Sequence, residues 1–193
     1  MLDLLAITTL MVWPVIPLFW IPLHFAAPFF RRLGFFTYIM PLITWVPVAY
    51  LIYMKRSFLL QSRISFPPVI SITGILLLIS GALLHIWTAR LLGLWGITGM
   101  PEISSRVKEK LVTGGPFSVV RHPTYFAHTL IFSGVFLITG AVSVGMVMLL
   151  DCITVNTVII PLEERELLAR FADEYLLYKK KVPSRFLPWI RRK

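Results

Sequence analysis

Residues 114–125 read GGPFSVVRHPTY, and they run straight into a 40-residue apolar stretch, PTYFAHTLIFSGVFLITGAVSVGMVMLLDCITVNTVIIPL, at 123–162. One membrane helix needs about 20 such residues, so the stretch is too long for a single crossing. The charge-free GAVSVG at 140–145 supplies a turn, and the run reads as a helical hairpin, about 123–139 and 144–161. The residues ahead of it are of another kind. A double glycine, two prolines, Arg121 and His122 crowd against the mouth of the first helix.

Upstream the pattern is also that of a membrane chain. A first span covers about 4–30, interrupted by Pro14, Pro17, Pro22 and Pro28, which membrane helices tolerate when neighbours satisfy the freed carbonyls. A second covers about 35–54 and ends at Lys55-Arg56; a third covers about 68–89, from Pro67-Pro68 to Arg90. Gly74 and Gly81 share one face of the third, which permits close helix contact. The expected fold is all-α: an integral membrane protein of about five transmembrane helices plus a C-terminal amphipathic helix. One membrane domain is expected over 1–193, with N-terminal spans at 1–66 and a cofactor-binding core at 67–193. The composition agrees, with 57% hydrophobic residues and a mean hydropathy of +0.80, against about 45–50% apolar in soluble domains. The N-terminal MLDLLAITTL has no basic region before its apolar stretch and reads as a retained segment.

The net charge of +10 does not indicate nucleic acid. The basic residues sit at the ends of apolar segments, as membrane anchoring requires, and no nucleic-acid partner is expected. Arg90, Arg106, Lys108, Lys110 and Arg121 fill the loop before the hairpin, the hairpin turn has none, and the C-terminal part is rich in them. This distribution puts that loop and the C-terminus on the cytosolic side. Five spans then place the N-terminus outside, a topology into which Lys55, Arg56 and Arg63 fit poorly.

After Pro161 the composition changes abruptly. Leu167, Leu168, Phe171, Tyr175 and Tyr178 recur at helical spacing and predict an amphipathic helix over 162–182, stopped by Pro183. Glu163, Glu164 and Glu166 in its first turn and Lys179–Lys181 in its last suit the helix dipole. Glu163 and Glu164 also sit at the membrane border, where carboxylates are costly unless paired or functional. The loop 108–125 faces the same side.

Together the two segments outline a pocket. Pro123 opens a helix whose N-terminus favours an anionic group, and His122 before it is held extended. Gly114-Gly115 lets backbone approach a ligand closely. Phe117 and Tyr125 offer faces for an aromatic base, and Glu163 and Glu164 accept hydrogen bonds from a ribose or an ammonium. S-adenosylmethionine carries a carboxylate, an ammonium, a ribose and an adenine. The bland alternatives are a cap for His122, a turn for the glycines and a headgroup anchor for Arg121. His24, His85 and His128 read as helix-packing histidines without metal-ligand spacing, Cys152 as packing, and Asp151 and Asn156 as groups facing other helices. No phosphate-binding glycine loop or nucleophile elbow occurs.

The segments KLVTGGPFSVVRHPTY at 110–125 and, about 40 residues on, EERELLARFADEYLLYKKKVPSRFLP at 163–188 resemble the isoprenylcysteine carboxyl methyltransferase family, itself similar to membrane phospholipid N-methyltransferases. The resemblance covers about 92–190. It implies S-adenosylmethionine bound at the cytosolic membrane border by Lys110, Leu111, Val112, Phe117, His122, Pro123, Thr124, Tyr125 and Glu163. The implied activity is methyl transfer to a lipophilic or prenylated acceptor, in a bacterial inner membrane or the endoplasmic reticulum. Arg185 and Glu164 are candidates for orienting that acceptor. Phe117 stands where the family often has tyrosine, and Ala127 where glycine is common. Ile159 stands where the prenylcysteine enzymes tend to carry the arginine that reads the substrate carboxylate, which separates the cofactor expectation from the substrate one. Two other readings compete. The ending Y-x-x-x-x-V-P-x-R-F-x-P resembles that of NADPH-dependent sterol reductases, and a non-catalytic lipid-binding protein would need neither His122 nor Glu163.

Overall fold

The computed structural model describes residues 1–103 and 110–188, and every described regular element is a helix. In chain order these are α1 (Leu2–Val12), α2 (Ile21–Phe25), α3 (Ala27–Leu33), α4 (Ile39–Met54), α5 (Arg56–Leu59), α6 (Pro68–Ile97), α7 (Met100–Ile103), α8 (Pro123–Thr139), α9 (Val142–Thr154) and α10 (Ile160–Lys181). Four helical runs are long and apolar enough to cross a membrane: Leu2–Phe25, Ala27–Met54, Pro68–Ile97 and Val142–Lys181. The shorter Pro123–Thr139 makes a fifth. The protein is an integral membrane protein.

The prolines of the first run act as expected. Pro17 lies in a π-helical turn, Ile16–Trp20, between α1 and α2, a common way to absorb a lost backbone donor. The run ends at Ala26, earlier than the expected 30, and α3 already belongs to the connection into α4. The third span is longer than the expected 68–89. It continues to Ile97, past a break in helical geometry at Gly93.

The hairpin of α8 and α9 forms where expected, though its turn is shorter. Gly140 is left-handed (φ 65°), and α9 resumes at Val142. The larger departure is at Pro161. The amphipathic segment expected as a separate helix over 162–182 is continuous with the fifth span. A π turn at Val155–Ile159 leads directly into α10, with Pro161 in its first turn, where no backbone donor is needed. The 40-residue rod Val142–Lys181 would be about 60 Å long if straight, twice the hydrocarbon thickness of about 30 Å. Its charged half therefore projects beyond the apolar layer. The break in this rod falls instead at Ala172, with φ 43° and ψ −118°.

The tightest helix pair is α6 with α8. A Cβ built on Gly134 would stand 2.6 Å from both the Gly74 carbonyl and the Leu78 nitrogen, and one on Gly81 would stand 2.9 Å from the Ala127 carbonyl. The close-contact face expected from Gly74 and Gly81 is used, with α8 as its partner.

Two polar ends result. At one, the Ile64 amide bonds the Gly140 carbonyl at 2.8 Å and the Val142 amide bonds the Ser62 carbonyl at 3.1 Å. Arg63 pairs with Asp3 beside them. This gives the awkward Arg63 a partner and sets the N-terminus, the loop before α6 and the hairpin turn together. The opposite end gathers residues 110–122, the charged part of α10 and the segment 182–188. Arg106 and Lys108 lie outside the described residues. Asp151 and Asn156 bond within the helix bundle: Asp151 accepts a bond from the Trp13 indole of the first span at 3.0 Å on one carboxylate oxygen, and Asn156 donates to the Cys152 carbonyl at 2.8 Å.

Candidate functional site

The site is built where residues 110–125 meet α10. A backbone clasp holds them. The Arg121 amide donates to the Ser184 carbonyl and the His122 amide to the Arg185 carbonyl, both at 3.0 Å. The Tyr178 hydroxyl donates to the Phe117 carbonyl at 2.7 Å.

Within the clasp the adjacent glutamates divide. Glu164 is buried (6% exposed) and turned to the inside of the joint. It accepts from Arg121 Nε at 2.9 Å and Nη2 at 2.8 Å, and from Lys179 at 3.1 Å, and Arg185 stands 3.5 Å from it. Arg121 spends its remaining nitrogen on the carbonyls of Val182 and Pro183, at 2.7 and 2.8 Å. Arg121 and Glu164 thus tie three chain segments together. Glu163 points the other way, into a pocket. His122 bridges the pair, with Nδ1 3.5 Å from Glu163 and Nε2 3.4 Å from Glu164. His122 sits at the N-cap of α8 without capping it. Burial alone would lower its pKa below 6.5, but the charges and hydrogen bonds of Glu163 and Glu164 outweigh burial and raise it. For Glu163, burial is overcome by the charge of His122, and the carboxyl is held well below its usual range.

Lys110, Leu111, Val112, Phe117, Arg121, His122, Thr124, Tyr125 and Glu163 line the pocket. Pro123 is buried as the first residue of α8. Glu164 and Arg185 do not line it. Gly114-Gly115 does not line it either. Gly115 has φ 58°, and a Cβ there would meet Leu91 at 2.9 Å, so the glycine serves close packing of this loop on α6. Ile159 is fully buried in a core cluster with Tyr125 and Phe132.

Sequence reasoning missed part of the lining. Leu167, Phe171, Tyr175 and Tyr178 of α10, Trp20 from the first span, and Arg170 all contribute. The aromatic stripe on α10 was visible as periodicity, but its direction was not. His85 and His128, read as packing residues, line the pocket as well. Among the described residues no group of three or more metal-ligating side chains occurs.

The sequence profile of the family described as phospholipid methyltransferase matches residues 69–174, more than half of the chain. No curated protein and no solved structure matches.

Proposed function

The chain belongs to the phospholipid methyltransferase family and is a membrane methyltransferase; we propose that it uses S-adenosylmethionine to methylate a lipophilic acceptor at the cytosolic border of the bilayer. The observation that carries this reading is the convergence, in one pocket, of Lys110–Val112, Phe117, His122, Thr124 and Tyr125 with Glu163 of α10. Those residues suit the cofactor chemically. Phe117 and Tyr125 present aromatic faces, Glu163 is an ionised acceptor for hydroxyl or ammonium donors, and Lys110 is a cation in the lining. Two buried imidazole nitrogens in the lining, Nδ1 of His85 and of His128, have no hydrogen-bond partner among the described residues, so the cavity asks for polar contents.

When bound, the cofactor supplies a sulfonium-activated methyl group. The protein has to align the acceptor and exclude water. His122 fixes Glu163, the clasp to Ser184 and Arg185 fixes His122, and the apolar floor sheds solvent. An acceptor with a lipid tail reaches this depth sideways from the bilayer, which accounts for a membrane location. On the acceptor, the two positions considered for reading a prenylcysteine carboxylate offer no free cation, for different reasons. Ile159 supplies none, and Arg185 stands on Glu164. We therefore favour a neutral or amine-bearing lipid over a prenylcysteine carboxylate.

Calorimetry on the purified protein tests the cofactor. Binding of S-adenosylmethionine or its demethylated product is expected, weakened by about 1–3 kcal/mol in Glu163→Gln, the range for losing a hydrogen bond to a charged group. Clear NADPH binding with neither of these ligands bound would refute the reading.

A further inference from the structure

The cofactor reading accounts for Glu163 and His122 but leaves two other lining residues, His85 of α6 and His128 of α8, unexplained. The two helices touch at Gly81 and Ala127. His85 lies one turn on from Gly81 and His128 lies next to Ala127, and their rings stand 5.1 Å apart between centroids. Tyr125 lies edge-on to His128 at 6.0 Å, and Phe132 stands 6.2 Å from it. Both Nδ1 atoms are buried and make no hydrogen bond among the described residues. An imidazole kept only for packing is an expensive choice in an apolar layer, because a buried polar atom without a partner loses its hydration and gains nothing in return. A pair of them facing one cavity is more so.

We propose that His85 and His128 are the acceptor end of this site: their Nδ1 atoms receive the N–H of an amine-bearing lipid headgroup, and one of them takes its proton during transfer. The inference rests on the methyltransferase reading above and adds the group that frees the nucleophile. The acceptor nitrogen's lone pair forms the new bond to the methyl carbon. The sulfur–methyl bond breaks with its electron pair left on sulfur, and the N–H proton moves to the imidazole lone pair. The local chemistry suits this. Arg121, which also lines the pocket, is committed to Glu164, while His85 and His128 offer imidazoles. Tyr125 in the same lining offers an aromatic ring to the positive charge that develops on nitrogen before the proton leaves.

The test uses His85→Phe and His128→Phe, which keep ring bulk and remove the nitrogens, and His128→Asn, which keeps a hydrogen-bonding atom close to where Nδ1 stood. Purified proteins receive methyl-labelled S-adenosylmethionine with phosphatidylethanolamine or N-acetyl-farnesylcysteine in mixed micelles. Cofactor affinity is measured separately by calorimetry, and folding by thermal unfolding. The expected result is cofactor binding within about threefold of wild type in every variant. Label transfer to phosphatidylethanolamine should fall by about 10²-fold or more in the Phe variants, the lower range for loss of a general base. His128→Asn should recover acceptor KM and leave kcat low. His→Gln at either position asks the same question if a Phe variant does not fold. Phe variants that keep turnover overturn the inference and leave the cofactor reading standing. So does parallel loss of cofactor binding, which would move the pair to the cofactor side, or a cofactor-binding wild type that labels only the farnesylcysteine analogue or neither probe. A wild type that binds no cofactor removes both readings.

Discussion

Glu164→Leu is the substitution with the largest expected effect on stability. It strands the Arg121 guanidinium, whose side chain is 6% exposed, with only the carbonyls of Val182 and Pro183 for company. Breaking a buried ion pair from one side costs about 3–5 kcal/mol. Lys179 and Arg185 add little, since their side chains are 38% and 46% exposed and solvent screens such pairs to about 0–1 kcal/mol. For a chain of this length each kcal/mol moves Tm by about 2–4 °C, so Glu164→Leu should unfold about 6–20 °C below wild type in detergent. Replacing both partners, Arg121→Met with Glu164→Leu, should be less damaging than the sum of the single changes by about 1–3 kcal/mol, because no stranded charge remains. The assay is a thermal double-mutant cycle at neutral pH. Strict additivity, or a Glu164→Leu protein within 2 °C of wild type, would refute the view that this pair locks the loop to α10.

Three further outcomes are expected. His122 has a raised pKa, so its contribution to stability is complete below about pH 6.5 and is lost as pH rises through the folded value; Tm measured from pH 6 to 10 should fall more in wild type than in His122→Gln. Gly134→Leu places a side chain where a single Cβ already meets Gly74 and Leu78 backbone at 2.6 Å, so it should separate α6 from α8 and abolish a folded detergent-soluble species, seen as loss of the monodisperse peak on size exclusion. Cysteines placed at 142 and 180 in a Cys152→Ser background should react with an impermeant label from opposite faces of intact membranes; labelling from one face would refute the five-span arrangement.

The membrane fold was legible because hydrophobic length is a strong signal, and the hairpin turn at Gly140 because it lacks charge and has glycine. The helix through Pro161 was not. A proline reads as a stop, yet a π turn just ahead of it puts the missing donor where none is needed, and no local pattern announces that. Gly115 was visible as a special position, but whether the space it spares goes to a ligand or to Leu91 depends on a helix that lies far off in sequence. Glu163 and Glu164 are neighbours with the same side chain. Only the packing of α10 sends one into the pocket and the other into the joint, about 100° apart around the helix axis. That His85 and His128 line the pocket was not legible. An isolated imidazole on an apolar face is usually packing, and the pairing of His85 with His128 is a property of how α6 crosses α8.

The clasp between the loop at 121–122 and the segment at 182–185 also has a consequence for biosynthesis. Its side-chain bonds join residues as far as 62 positions apart. At about 5–20 residues per second of translation, the second half of the clasp is made about 3–12 s after the first. The helices α1, α6 and α8 can be in the bilayer during that interval, but the wall of the pocket supplied by α10 does not yet exist. A newly made molecule is therefore a settled membrane protein before it is a methyltransferase, and activity should lag insertion in a synchronised translation reaction.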